Sequence, residues 1–155
     1  MKEFDYYIFI DYSENLIGYN IIEGNKVKEL LPKISKIKHY KEVNKKSQYM
    51  KAIRKMFDKH NITDYFRAYK IKKMVQTLEI FADIADFIVT NKYSKIFISL
   101  DDNQSSNFER LVKDIDGDKV LVVKEGKLRN NSFEHRLSLI IDNLLNLERI
   151  KNETK

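Results

Sequence analysis

The stretch that most limits what this chain can fold into is Tyr6-Tyr7-Ile8-Phe9-Ile10-Asp11. An unbroken apolar and aromatic run bounded by turn residues (Ser13-Glu14-Asn15) predicts a strand buried on both faces. It stops at a carboxylate, which is costly to bury unless it is paired or bound to a cation. The pattern returns in Lys95-Ile96-Phe97-Ile98-Ser99-Leu100-Asp101-Asp102. Two core strands that each end in Asp predict a shared carboxylate site at one edge of a sheet.

At 155 residues the chain fits a single domain over 1–155 with a substantial core. It contains no Cys, which excludes disulfides and thiolate metal sites, and its three His are too scattered to suggest zinc. The N-terminal apolar run is too short for a signal peptide or a membrane span, so a cytoplasmic protein without membrane association is expected. The net charge of +6 is unevenly spread: residues 24–73 hold 16 Lys or Arg against four acids. A basic third set in an acidic frame is the asymmetry expected when one face meets phosphate and another carries carboxylates, although a lysine-rich solvated surface has the same composition.

Taken in order, Leu16–Ile22 predicts a second strand, and Glu23-Gly24-Asn25 a hairpin turn into a third strand over 26–31 and 34–40, broken at Pro32. From about Lys45 the apolar spacing turns helical (Tyr49, Ile53, Met56, Phe57), and Asn61 ends that helix. A long apolar helix is predicted over 67–90, its core stripe formed by Ile71, Met74, Val75, Leu78, Ala82, Ala85 and Val89, with Ile80, Ile84 and Phe87 on the opposite side. Such a helix needs a second layer or a second copy, so a homodimer through 67–90 is one expectation. A strand at 96–100, a helix at 105–115, a strand at 120–123 and a closing helix from Asn130 or Asn131 to about 150 complete the chain. Asp114-Ile115-Asp116-Gly117-Asp118 lacks the ligand spacing and terminal Glu of a calcium loop. The predicted fold is α/β: a mixed five-stranded sheet, three strands antiparallel and two parallel, flanked by helices on both faces.

Phosphoryl-transfer sites that use two divalent cations need several carboxylates. Asp11 and Asp101 are the first candidates. Helical rise against strand length places Glu79 near the level of Asp101, with Asp86 as its understudy. Asp142, bordering the apolar stripe of the last helix, is the fourth. Each of these acids taken alone is as readily a solvated flank residue.

The order of elements resembles the ribonuclease H-like superfamily. More narrowly, Phe9-Ile10-Asp11-Tyr12-Ser13-Glu14-Asn15, Ile98-Ser99-Leu100-Asp101 and Leu137-Ser138-Leu139-Ile140-Ile141-Asp142 resemble the three motifs of the DUF3800 family. Tyr12, Asn15 and Ser138 depart from those motifs. The resemblance implies a divalent-metal nuclease or other nucleic-acid-processing phosphodiesterase. Asp11, Asp101 and Asp142 would be ligands of Mg²⁺ or Mn²⁺, and Glu79 a fourth catalytic acid.

Acting on DNA or RNA, such an enzyme would grip the backbone with Lys45, Lys46, Lys51, Arg54, Lys55, Arg67 and Lys70, and stack bases on Tyr40, Tyr49, Tyr65 or Tyr69. His60 and His135 are candidate proton carriers, and equally boundary residues. The alternatives are a non-catalytic nucleic-acid-binding protein on a degenerate ribonuclease H-like frame, or a homo-oligomeric structural or regulatory protein. No Walker loop or nucleophile elbow is present.

Overall fold

The computed structural model describes residues 4–91, 93–115 and 120–153. In chain order the elements are β1 (Tyr6–Ser13), β2 (Leu16–Glu23), α1 (Val27–Leu30), α2 (Lys46–His60), β3 (Phe66–Lys73), α3 (Thr77–Thr90), β4 (Ser94–Ile98), α4 (Asp102–Ile115), β5 (Leu121–Lys124) and α5 (Phe133–Glu153). The strands form one sheet in the order β3-β2-β1-β4-β5. β1 pairs antiparallel with β2 and β2 antiparallel with β3, whereas β4 runs parallel to both β1 and β5. This is the predicted α/β architecture, a mixed five-stranded sheet with helices on both faces.

Period-two alternation along the central strand sorts the core into two layers. Tyr7 and Phe9 of β1, with Leu16, Ile22 and Phe97, pack against Val27, Ile53, Phe57 and the α5 residues Leu137, Ile141 and Leu145. Ile8 and Ile10, with Ile17, Ile21, Ile96 and Ile98, pack against Ile80, Phe81, Ile84 and Ile88 of α3 and Phe108 and Val112 of α4. Phe9 and Phe97 stack at 5.1 Å with their planes 12° apart, which locks the parallel β1–β4 pair. Gly18 of β2 lets α5 approach closely: a Cβ there would stand 3.0 Å from Ile71 Cγ1, 3.1 Å from the Lys70 carbonyl and 3.3 Å from Leu145 Cδ2.

Two expectations are corrected. The third strand is not 26–40 but Phe66–Lys73, which the sequence reading had given to the start of a long helix. Residues Val27, Leu30, Ile34 and Ile37, all buried, recur every three or four positions, which is a helical period; the first three lie in α1 and a 3-10 turn (Leu31–Ile34) with Pro32 in its opening turn, and Ile37 follows just beyond. Conversely, Ala68, Lys70 and Lys72 alternate with Tyr69, Ile71 and Lys73, and a bulge at Arg67 returns Phe66 to the α5 side beside Ile22. Among the described residues β2 has no other partner for its outer edge. The expected helix 67–90 is therefore cut to α3, Thr77–Thr90, which starts where the Thr77 hydroxyl bonds the Met74 carbonyl at 2.6 Å.

With the start moved, the buried stripe is also different. Thr77, Ile80, Phe81, Ile84 and Ile88 face the sheet, while Val75 and Leu78 are 91% and 80% exposed. The continuous 67–90 surface on which a dimer was expected is not formed. The remaining helices fall close to expectation, and α2 ends at Asn61, which takes the left-handed conformation at φ 50°. Of the Asp114–Asp118 turn, residues 116–118 lie outside the described residues.

The two assignments of the α3 stripe differ measurably. Ile84→Ala is expected to cost about 2–5 kcal/mol in urea unfolding, and Leu78→Ala to stay within about 0.5 kcal/mol. The reverse ranking would restore the longer helix.

Candidate functional site

Strand geometry places Asp11 with Tyr7 and Phe9, on the sheet face that α5 covers. In the register it lies directly opposite Gly18 of β2. On its other side, Ile10 pairs with Ile98 and the Ser99 amide donates to the Ile10 carbonyl at 2.9 Å, which brings Ser99 alongside Asp11. Ile98 in turn pairs with Lys124, so Glu125 follows alongside Ser99. Asp11, Ser99 and Glu125 thus form a row across the carboxyl ends of the three parallel strands, the usual place for ligands in such sheets.

Asp142 of α5 comes from above that row. Its Oδ2 accepts the Tyr40 amide at 2.9 Å, and its Oδ1 stands 3.9 Å from His39 Nε2. Asp11 and Asp142 are each only 6% exposed. Burial pushes the Asp11 carboxyl well above the ordinary carboxylate range, and the charges of Glu125 and Asp142 push it further; the Tyr12 amide at 2.8 Å and the Ser99 hydroxyl oppose them. Burial also raises Asp142, opposed first by the Tyr40 amide and then by His39, with Glu125 raising it further. The charge of Glu125 therefore bears on both buried acids, and that of Asp142 on Asp11.

The other candidate acids lie elsewhere. Asp101 is exposed, and its Oδ1 accepts the Gln104 amide at 2.9 Å, capping the start of α4. Asp102 reaches outward to Lys124 at 3.4 Å. Glu79 sits on α3, on the opposite face of the sheet, within 3.4 Å of Lys70 and 3.6 Å of Lys72. Asp86 is exposed on the same helix.

The sequence reading missed Glu125, although it is a carboxylate just past a strand and ahead of Gly126, the same signal that marked Asp11. It also passed over His39 in favour of His60 and His135, because nothing local ties residue 39 to residue 142. Asn146 and Arg149 were readable in principle, at four and seven positions beyond Asp142 on one helical face.

The predicted cations divide by surroundings. Lys51, Arg54 and Lys55 stand exposed on α2, and among the described residues none of them has an acidic partner. Lys45 is exposed at the start of α2; Lys46 bonds the Val43 carbonyl and lies 5.5 Å over the Tyr40 ring. Arg67 is exposed on the edge strand β3. Lys70 pairs with Asp83 at 2.6 Å as well as with Glu79, across the sheet from Asp142.

Divalent cations take carboxylate oxygens, and mutual repulsion among Asp11, Glu125 and Asp142 is what a cation would relieve, so the donor chemistry fits. The side chains do not yet converge: among the described residues no three His, Cys, Asp or Glu group closely enough to hold a metal ion. Among the same residues, no helix is long and apolar enough to cross a membrane.

The raised Asp11 carboxyl sets a pH dependence. In the unfolded chain it titrates near 3.8, and in the fold well above that. Below the unfolded value both states hold the proton. As pH rises past it, the unfolded chain sheds a proton that the fold retains, so stability falls until the folded value is passed. Asp11→Asn removes this loss, and its stability relative to wild type is expected to rise from about pH 4 toward neutrality, as followed by urea unfolding. Parallel pH profiles would mean that Asp11 is not destabilised by its surroundings.

No family model matches the chain, and no curated protein does. Among solved structures, that of the PCNA:RNase HII complex from Archaeoglobus fulgidus is similar, with a TM-score of 0.53 at 12% identity over 96% of this chain and 73% of that chain. At that identity the likeness concerns the fold alone, and it agrees with the sheet order and layers described above: the chain has a ribonuclease H-like fold.

Proposed function

We propose that this protein is a divalent-metal-dependent phosphodiesterase acting on nucleic acid, with Asp11 and Asp142 as its principal acids and Glu125 as the third. The observation that carries this reading is the burial of Asp11 beside two other acids at the carboxyl ends of parallel strands. No structural need of the core calls for such a cluster, and perturbed carboxyls gather where chemistry is done. The resemblance to the DUF3800 motifs around Asp11 and Asp142, and the fold shared with an RNase HII, support the same reading.

When bound, Mg²⁺ or Mn²⁺ supplies a Lewis acid and a water that ionises near neutral pH. The chain's own residues do the rest. Asp11 and Asp142 would hold the cation, and Glu125 would add a third oxygen donor. Ser99 steadies Asp11, while the Tyr40 amide and His39 fix the direction of Asp142. Lys51, Arg54 and Lys55, on the helix that packs in the α5 layer, draw in the phosphate backbone without reading sequence.

A second reading, binding without cleavage, draws on one observation. The residue beside Asp11 on β4 is Ser99, not an acid, and the nearest acid on that segment, Asp101, is occupied in capping α4.

Cleavage of labelled DNA, RNA and hybrid duplexes in Mn²⁺ separates the two. The enzyme reading expects cleavage that is lost on chelation and falls about 100-fold or more in Asp11→Asn and Asp142→Asn. Glu79→Gln is expected to stay within about twofold, as a surface change remote from the acids. Salt-sensitive binding with no cleavage under any divalent cation would leave the second reading. For either, replacing Lys51, Arg54 and Lys55 together by Ala should lower the slope of log affinity against log salt by about three, one per lost phosphate contact. Lys70→Ala, which removes a cation already neutralised by Asp83, should leave that slope unchanged.

A further inference from the structure

Asp142 is held from outside by a segment, residues 35–45, that contains only one turn of 3-10 helix (Tyr40–Glu42). Its bonds to the body of the protein are few and specific. The Lys38 carbonyl accepts Asn143 Nδ2 at 2.9 Å and the Tyr49 hydroxyl at 3.0 Å, and the Lys38 amide donates to the Tyr49 oxygen at 2.7 Å. Two residues on, the Tyr40 amide reaches Asp142. The Tyr40 ring then lies between two cations, Lys46 Nζ and the Arg149 guanidinium, each 5.5 Å from its centroid.

Arg149 is the unusual partner. Although it lies near the end of α5, its side chain is only 13% exposed. Its Nε and Nη2 both donate to Asn146 Oδ1, at 3.3 and 3.0 Å, and the same oxygen accepts the Ser13 hydroxyl at 2.9 Å. Asn146 Nδ2 donates back to the Asp142 carbonyl at 2.8 Å. Ser13 is two residues from Asp11 on β1. Glu153 at 3.0 Å and Glu14 at 3.9 Å face the outer edge of the guanidinium. Arg149 thus contacts Tyr40, whose amide holds Asp142, and through Asn146 it is tied to Ser13 on the strand that carries Asp11.

We propose that Arg149 is a positioning residue for the acid site: by holding the Tyr40 ring and Asn146 Oδ1 together it fixes Asp142 relative to the strand that carries Asp11. The proposal rests on the reading above in treating those acids as the working groups. A planar fork suits the task, since two N–H groups serve one oxygen while the guanidinium stays against the Tyr40 side chain; an ammonium group of the same charge cannot do both. Arg149→Lys therefore separates geometry from charge, and Glu153→Gln, which loses only the outer ion pair, is the control.

The test pairs amide hydrogen exchange at Tyr40, followed by NMR, with Mn²⁺ titration of the apoprotein. In Arg149→Lys the Tyr40 amide is expected to exchange about tenfold faster while amides of β1 and β4 keep their protection. Mn²⁺ affinity is expected to fall by about tenfold, as for loss of a group that orients a ligand. Glu153→Gln should move neither. Tyr40 exchange within about twofold of wild type in Arg149→Lys would overturn the proposal. If wild type binds no Mn²⁺, the metal reading of the site falls, and Tyr40 exchange alone decides the role of Arg149. Should Arg149→Lys fail to fold, Tyr40→Leu removes the ring and leaves the Asn146 contacts: faster exchange at position 40 supports the clamp, and unchanged exchange overturns it.

Discussion

Strand β1 is third of five in the sheet and is covered on both faces, so each successive side chain must serve a different helical layer. Tyr7 and Phe9 fill the α5 side, Ile8 and Ile10 the α3 and α4 side, and the next residue on the α5 side is a carboxylate. The alternation cannot be relaxed for Asp11 without moving every residue of the strand to the wrong layer. The carboxyl is thereby held in a buried position, and the surrounding chain supplies what compensation it has: an adjacent amide and a serine hydroxyl.

The same logic explains why α5 carries so many polar groups on its buried side. Asp142, Asn143 and Asn146 are all nearly inaccessible, and each is tied to backbone or to a neighbouring side chain. A helix that merely closed a core would bury aliphatic residues there, since every polar group removed from water must find a partner to offset the loss. The Lys38–Glu42 crossing provides several of those partners. Its position over α5 is therefore a requirement of the site rather than a consequence of loop length.

Much of this was legible in the chain. The doubly buried strands, their terminal acids, the mixed sheet and the helices at 46–60, 102–115 and 133–153 follow from periodicity and turn residues. What was not legible had a physical reason in each case. The 66–73 segment is so rich in Lys and Arg that its alternation is masked, because long basic side chains cover apolar surface on either kind of element. The 27–37 segment hides a helical spacing behind short turns. Within the site, Asp11 and Asp142 follow from strand and helix patterns that are local. Glu125, Ser99 and His39 depend on pairings between residues far apart in sequence, which no local pattern encodes. Asp101 illustrates the opposite limit: an acid just past a strand is also an ideal cap for the next helix, and the sequence alone does not separate those uses.

The acid site draws on Asp11, Glu125 and Asp142, with Ser99 between the first two. The β1–β2 hairpin closes over a short turn and leaves the face that bears Asp11 to be covered by α5. Only when α5 settles onto the sheet are the carboxyls stripped of water and brought into one another's field. The desolvation of the site is thus tied to the seating of one helix. α5 also brings Leu137, Ile140, Ile141 and Leu145 into the core, so the helix that strips the acids of water supplies the apolar burial that offsets the cost.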